Sequence, residues 1–148
     1  MIKGIHHIAV GVPDFERGLE FYRDLLGFEV VERTEWDRNN RFADRAIGLQ
    51  DTGAQMAMLK APNAYIELWQ YSSPEPADHR QRPCDYGYAH LCLQVEGIQE
   101  EYDRLSAGGM QFVGPVVEFG DIAAIYGKDP FGNTVELYEI YDESRSGL

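Results

Sequence analysis

The sequence predicts an α+β fold made of two copies of one plan, a strand, a helix and then three strands, and three observations predict it. Two segments, Ile5 to Val12 and Ala89 to Val95, alternate apolar with polar or small residues at a period of two, the mark of a half-buried strand. Each is followed by apolar residues at helical spacing that stop at glycine. Placing His90 on His7, an offset of 90 − 7 = 83, lays Leu91 on Ile8, Leu93 on Val10, Val95 on Val12 and Tyr102 on Leu19, so the second half reads as a duplicate of the first.

Taken in order, Asp14 follows Pro13 as a helix cap, and Phe15, Leu19, Tyr22 and Leu26 line one helical stripe before Gly27 ends it. Three strands should complete this copy: Glu29 to Thr34, Gln55 to Lys60 and Tyr65 to Tyr71. Between them, Trp36 to Arg45 is polar with scattered aromatics and reads as a loop, either a mobile flap or a solvated hairpin end. In the second copy Ile98, Tyr102 and Leu105 line a helix ended by Gly108 and Gly109, and strands follow over Gln111 to Phe119, Ala123 to Tyr126 and Thr134 to Ile140. Asp129-Pro130-Phe131-Gly132-Asn133 is a turn, with proline to preset φ and glycine or asparagine to take positive φ. Residues 1–148 thus form a single domain of two modules, about 1–71 and 88–142. They are joined by a connector, 72–87, that holds three prolines and no apolar periodicity.

Composition narrows the function classes. The chain has 148 residues, 44% hydrophobic and 26% charged, enough to bury one core and too short for a separate cofactor domain. Thirteen basic against 25 acidic side chains leave a formal charge of −12, which repels phosphate backbones and anionic lipid and argues against nucleic-acid or membrane partners. No run of about 18 apolar residues and no secretory leader is seen, so a cytoplasmic protein is expected. Cys84 and Cys92 do not make a disulfide framework and are read as free thiols.

The chemistry lies in four residues. The first strand of each copy carries a histidine and the last a glutamate: His7 with Glu67, and His90 with Glu136. Ile66 and Leu68 flank Glu67, Val135 and Leu137 flank Glu136, and Ala89 and Leu91 bracket His90, so all four polar side chains oppose their strands' apolar faces. Small or polar neighbours on that face, Ala9, Gly11, Cys92, Gln94 and Thr134, leave room for a ligand. A single strand histidine is more often structural than a ligand, and a strand glutamate more often faces solvent. Four at equivalent places in two copies point to a divalent metal site: two imidazoles and two carboxylates suit Ni²⁺, Co²⁺, Zn²⁺, Mn²⁺ or Fe²⁺ with a position open to substrate. A buried carboxylate pair also needs such a cation to stay ionised. Trp69, Tyr88, Tyr138 and Cys92 fall on the same face and are candidate substrate contacts. His6 points the other way and His79 sits in the connector, both read as structural or solvated, while Arg80 and Arg82 read as solvated charges able to meet an anionic tail.

The stretches His7-Ile8-Ala9-Val10 with Pro13-Asp14, Phe21-Tyr22 with Leu26-Gly27-Phe28, Tyr65-Ile66-Glu67-Leu68, Gly87-Tyr88-Ala89-His90-Leu91 and Asp129 to Leu137 resemble the glyoxalase, bleomycin-resistance and extradiol-dioxygenase superfamily, the vicinal oxygen chelate proteins. The resemblance implies paired βαβββ modules whose sheets curve around a metal, in a homodimer. The His, Glu, His, Glu order is similar to that of glyoxalase I, a lyase, where the metal chelates adjacent substrate oxygens and a ligand glutamate moves a proton. This points to Glu136 or Glu67 as the base acting on a small-molecule substrate. Gly11 and Tyr71 stand where glyoxalase I has arginine and asparagine. Methylmalonyl-CoA epimerases usually carry glutamine in place of Glu67, and their further catalytic glutamate finds no match between Ala43 and Leu49. Two other readings are an iron-dependent ring-cleaving dioxygenase using two histidines and one glutamate, and a metal-free binding or resistance protein holding a flat aromatic ligand with Trp69, Tyr88 and Tyr138.

Overall fold

A computed structural model describes residues 1–78, 82–142, 144–145 and 147. The chain divides into two compact units, Met1–Asp78 and His79–Leu148.

In the first unit four strands form a sheet in the order β1 (His7–Gly11), β4 (Tyr65–Ser73), β3 (Gly53–Lys60) and β2 (Glu29–Trp36). β1 runs parallel to β4, and the other pairs are antiparallel. A parallel neighbour requires a crossover, and the helical segment after β1 is its first part. That segment starts at Asp14, whose carboxylate accepts the Arg17 N–H at 3.1 Å. It runs as α1 (Phe15–Leu19) and widens to π-helical winding over Glu20–Leu25, so the stripe read as one helix is one helix with a change of pitch. Gly27, at φ 80°, ends it. Leu19, Tyr22, Leu59 and Leu68 are fully buried where helix meets sheet. The contact is close because residue 18 is glycine: a Cβ there would lie 3.0 Å from Leu68 Cδ2 and 3.1 Å from Val12 Cγ2.

Two expectations need correction in this unit. Of the stretch read as a loop, Trp36 to Arg45, Trp36 closes β2 and Arg41 onward form a helix, α2 (Arg41–Ile47), capped by Asn40 Oδ1 on the Ala43 N–H at 3.2 Å and ended by Gly48 at φ 78°. Phe42, Ala43, Ala46 and Ile47 fall at helical spacing, but none of the helix's residues is buried, and Phe42 and Ile47 stay exposed. It is fastened instead through Asp44, which accepts hydrogen bonds from the Asp51 and Thr52 N–H groups and from the Thr52 hydroxyl. The strand bounds shift as well: β1 starts at His7 rather than Ile5, β2 and β4 run two residues further than expected, to Trp36 and Ser73, and β3 starts two earlier, at Gly53.

In the second unit the sheet order is β5 (Leu91–Gln94), β9 (Thr134–Ile140), β8 (Ile122–Lys128) and β6 (Gln111–Phe112), with β7 (Val117–Glu118) also pairing β8. β5 is parallel to β9, repeating the β1 and β4 arrangement. Leu105, Val135 and Leu137 bury the contact between this sheet and α3 (Ile98–Ala107). The strand expected over Gln111 to Phe119 is two short strands, because Gly114-Pro115 lies between them and proline has no N–H for the ladder. The turn after β8 is held by Asp129 Oδ1, which accepts the N–H groups of Phe131 and Asn133 at 2.9 and 2.8 Å, with Gly132 at φ 92°. It fixes the register, setting Lys128 opposite Thr134 and Tyr126 opposite Glu136. Among the described residues no helix is long and apolar enough to cross a membrane.

The start of α3 has a glycine, Gly97, where a capping side chain is usual. Glu139 of β9 replaces it, accepting the Gly97 and Ile98 N–H groups at 2.6 and 2.9 Å. Glu139→Ala is therefore expected to lower stability by about 1–2 kcal/mol, with Glu139→Gln costing less, read as the midpoint of thermal or urea unfolding. An unchanged midpoint in the alanine variant would refute the tertiary cap.

Candidate functional site

Each unit brings one histidine and one glutamate together by the same register. Glu67 lies in β4 between Ile66 and Leu68, both buried, so its carboxylate emerges on the face opposite the helix. Parallel pairing sets Ala9 opposite Glu67 and His7 opposite Tyr65, and the His7 ring reaches forward to place Nε2 3.4 Å from Glu67 Oε2. In the second unit Cys92 is opposite Glu136, and His90, two residues earlier, places Nε2 3.1 Å from Glu136 Oε2. His90 precedes its strand by one residue, since ladder pairing begins at Leu91 and not, as expected, ahead of the histidine. The two carboxylates are recessed, with 16% and 12% of their side-chain surface exposed, while the imidazoles are 39% and 32% exposed. Each pair thus offers one nitrogen and one oxygen donor on an accessible rim.

The surroundings of the two glutamates differ. Trp69 Nε1 donates to Glu67 Oε2 at 2.7 Å. The Trp69 ring stacks on Tyr71, with centroids 5.3 Å apart and planes 12° apart, and meets Trp36 edge-on at 5.6 Å. Burial, and then the Glu67 charge, raise the Tyr71 phenol above its ordinary value. His6, expected to point away, stacks on Tyr65 and sets its Nδ1 2.9 Å from His7 Nδ1. One of those two nitrogens must carry the proton. When His7 carries it, the His7 Nε2 lone pair is free for a cation.

Glu136 is surrounded by groups that can gain and lose protons. Tyr126, across the ladder on β8, hydrogen-bonds to it and packs edge-on against His90 at 5.0 Å. Burial, then Glu136, raise the Tyr126 phenol. The same causes push the Cys92 thiol up to about 12. At neutral pH it is a thiol that donates to the carboxylate rather than a nucleophile.

Of the expected substrate contacts, Trp69 and Cys92 touch the two glutamates, Tyr138 lies two residues beyond Glu136 on the same strand face, and Tyr88 stands fully exposed ahead of β5. Arg82 is engaged by Asp85, with Nη2 2.7 Å from Oδ1, while His79 and Arg80 lie outside the described residues. Tyr126 and the Trp36 ring were not singled out from the sequence, and Tyr71 only as standing where glyoxalase I has asparagine. Tyr126 was accessible in principle, because counting outward from the Asp129 turn pairs it with Glu136. A cleft of about 520 Å³ in the first unit, bordered by Glu35, Trp36, Asp37 and Gln70, opens where β2 and β4 end. Among the described residues no group of three or more His, Cys, Asp and Glu side chains is gathered within reach of one ion.

The comparisons agree with this architecture. The family described as the Glyoxalase/Bleomycin resistance protein/Dioxygenase superfamily matches residues 4–137. A 2-epi-5-epi-valiolone epimerase from Actinomyces sp. is 28% identical, covering 92% of this chain and 79% of its own. An ethylmalonyl-CoA/methylmalonyl-CoA epimerase from Cereibacter sphaeroides is 30% identical, covering 77% of each chain. The crystal structure of a glyoxalase family protein from Bacillus cereus superposes with a TM-score of 0.86 at 24% identity, over 96% of this chain and 97% of that one. The fosfomycin resistance protein FosX from Listeria monocytogenes, solved with Mn(II) and sulfate, has a TM-score of 0.63 at 18% identity, over 94% and 93% of the two chains. The structural likenesses establish the fold, with mixed sheets and few helices.

The thiol chemistry at Glu136 is open to measurement. Cys92 is exposed at its outer edge while the charge and hydrogen bond of Glu136 meet its Sγ, so its raised pKa leaves it less ionised at pH 8 than an ordinary thiol. Iodoacetamide should label it more slowly than a free thiol in the metal-free protein, and faster in Glu136→Gln, which removes the charge. The unfolded chain ionises first, so this thiol's contribution to stability is lost as pH climbs from 9.0 toward 12. Labelling of Cys92 at the rate of a free thiol, followed by mass spectrometry, would contradict the assignment.

Proposed function

The chain belongs to the Glyoxalase/Bleomycin resistance protein/Dioxygenase superfamily, and from that premise we propose that it is a divalent-metal-dependent isomerase or lyase. In this reading it acts by proton transfer on a small substrate with adjacent oxygen atoms. The observation that carries the reading is the repeated pair, with an imidazole Nε2 within 3.4 and 3.1 Å of a recessed carboxylate at the same register in both units. One such pair supplies only two donors, too few for a tightly held ion, whereas His7, Glu67, His90 and Glu136 together supply the mixed nitrogen and oxygen set a divalent first-row metal takes. The pairs are contributed by one chain or by two chains of a homodimer. When bound, the ion supplies Lewis acidity toward a carbonyl or hydroxyl pair and so acidifies the C–H beside it.

Glu136 is the residue we assign to take the proton from carbon and return it. Its carboxylate is recessed, hence weakly hydrated, and Tyr126 and Cys92 donate hydrogen bonds that orient it. Glu67 is the second carboxylate donor, and His7 and His90 are neutral ligands. The relatives named as epimerases support this chemistry, since inverting a carbon by removing and replacing one proton needs a base and a means of stabilising the charge left behind. They favour proton transfer over oxygen insertion. A surface of net charge −12 agrees with a small substrate rather than a polyanion.

Two measurements test the reading. Protein purified without chelator should hold a stoichiometric divalent metal by elemental analysis, and its removal should stop turnover; a metal-free protein that turns over equally well would end the proposal. In D₂O, wild type should wash solvent deuterium into the acidic C–H of substrates of the epimerase and lyase type. Glu136→Gln should lose this by about 10²- to 10⁴-fold while its circular dichroism is unchanged. Undiminished exchange in that variant would remove Glu136 as the base.

A further inference from the structure

We propose that Trp69 is a positioning residue for Glu67: its indole N–H holds Oε2 and so fixes the orientation in which the carboxylate meets a cation beside His7. The inference rests on the metal reading above and adds to it the group that orients one of the donors. Three observations carry it. The contact from Nε1 to Oε2 is 2.7 Å, the short length of a hydrogen bond to a charged acceptor. An indole is a donor only, so unlike a hydroxyl or an amide it cannot reverse the bond and release the oxygen by accepting instead. The same Oε2 is the oxygen 3.4 Å from His7 Nε2, so the indole fixes the carboxylate at the oxygen nearest the imidazole donor.

The indole is itself held. Its face lies on Tyr71, and Trp36 meets it edge-on. Trp36 Nε1 donates to Thr52 Oγ1 at 3.1 Å, and the fully buried Thr52 donates in turn to Asp44 Oδ1 of α2 at 2.6 Å. A line of contacts therefore runs from Asp44 through Thr52, Trp36 and Trp69 to Glu67. The second unit has a different arrangement. Tyr138 occupies the place two residues after Glu136, and the partners of that carboxylate are Tyr126 and Cys92. The two glutamates are thus equivalent in register and unequal in freedom.

The test is a Co²⁺ titration of the full chain followed by visible absorption. Trp69→Phe keeps the ring and removes the N–H, and it should bind Co²⁺ about 10- to 100-fold more weakly than wild type, with a shifted band, as loss of an outer hydrogen bond to a ligand does. Trp36→Phe should lose less. Because Trp69 acts through Glu67, Glu67→Ala and the double variant Glu67→Ala/Trp69→Phe should bind equally, which a merely structural role would not give. Wild-type affinity and band in Trp69→Phe would overturn the proposal. Should that variant fold poorly, the wild-type indole N–H resonance of Trp69 still decides: it should move upfield in Glu67→Ala, and an unmoved resonance would overturn the proposal equally. Absence of Co²⁺ binding by wild type would defeat the metal reading itself, an outcome distinct from either of these.

Discussion

Parallel pairing between the first and last strands of each unit is the constraint on which the rest depends. In β1 with β4 and in β5 with β9, it places a residue of the first strand directly opposite the glutamate and the histidine two residues earlier, Ala9 and His7 in one unit, Cys92 and His90 in the other. The alternation of strand side chains then decides which face the pair occupies. Ile66 and Leu68, or Val135 and Leu137, must be buried against a helix, so Glu67 and Glu136 are forced to the other face. A shift of one residue in either ladder would send each glutamate into the core and each leucine to the rim, so the energy that secures the core also secures the site.

Recessed carboxylates in a chain of charge −12 carry an electrostatic cost, and each unit meets it locally. Glu67 receives a fixed indole donor and an imidazole; Glu136 receives a phenol, a thiol and an imidazole. The contrast is chemical. In the proposed reaction, a donor that cannot exchange roles suits the carboxylate assigned to stay in place, and hydroxyl and thiol donors suit the one assigned to move a proton. The two equivalent registers are thus lined by unlike side chains, as at Trp69 and Tyr138, and at Met58 and Tyr126, which stand opposite Glu67 and Glu136.

The parts of the fold legible in the sequence are those where burial writes a period into the chain. The strands around Glu67 and Glu136, the α1 and α3 stripes and the Asp129 turn were all read near their true bounds, because apolar alternation, helical spacing and turn chemistry are local signals. α2 was missed because its short apolar face, with Phe42 and Ile47, lies exposed among charged residues, and it is held through Asp44 at its middle, a contact between residues eight apart. The break between β6 and β7 was missed although Gly114-Pro115 announces it. Glu139 as the cap of α3 was invisible, since the donor groups lie 41 and 42 residues away.

By itself, then, the sequence determined the duplicated plan, the family and the four residues of ligand type, because residue identity and strand parity are properties of the chain read in one dimension. Tertiary structure decided which atoms meet: that His7 and Glu67, and His90 and Glu136, come within hydrogen-bonding range, that Trp69 is spent on Glu67, and that Tyr126 attends Glu136. Those outcomes depend on ladder register and ring orientation between segments far apart in the chain, and no local period encodes them.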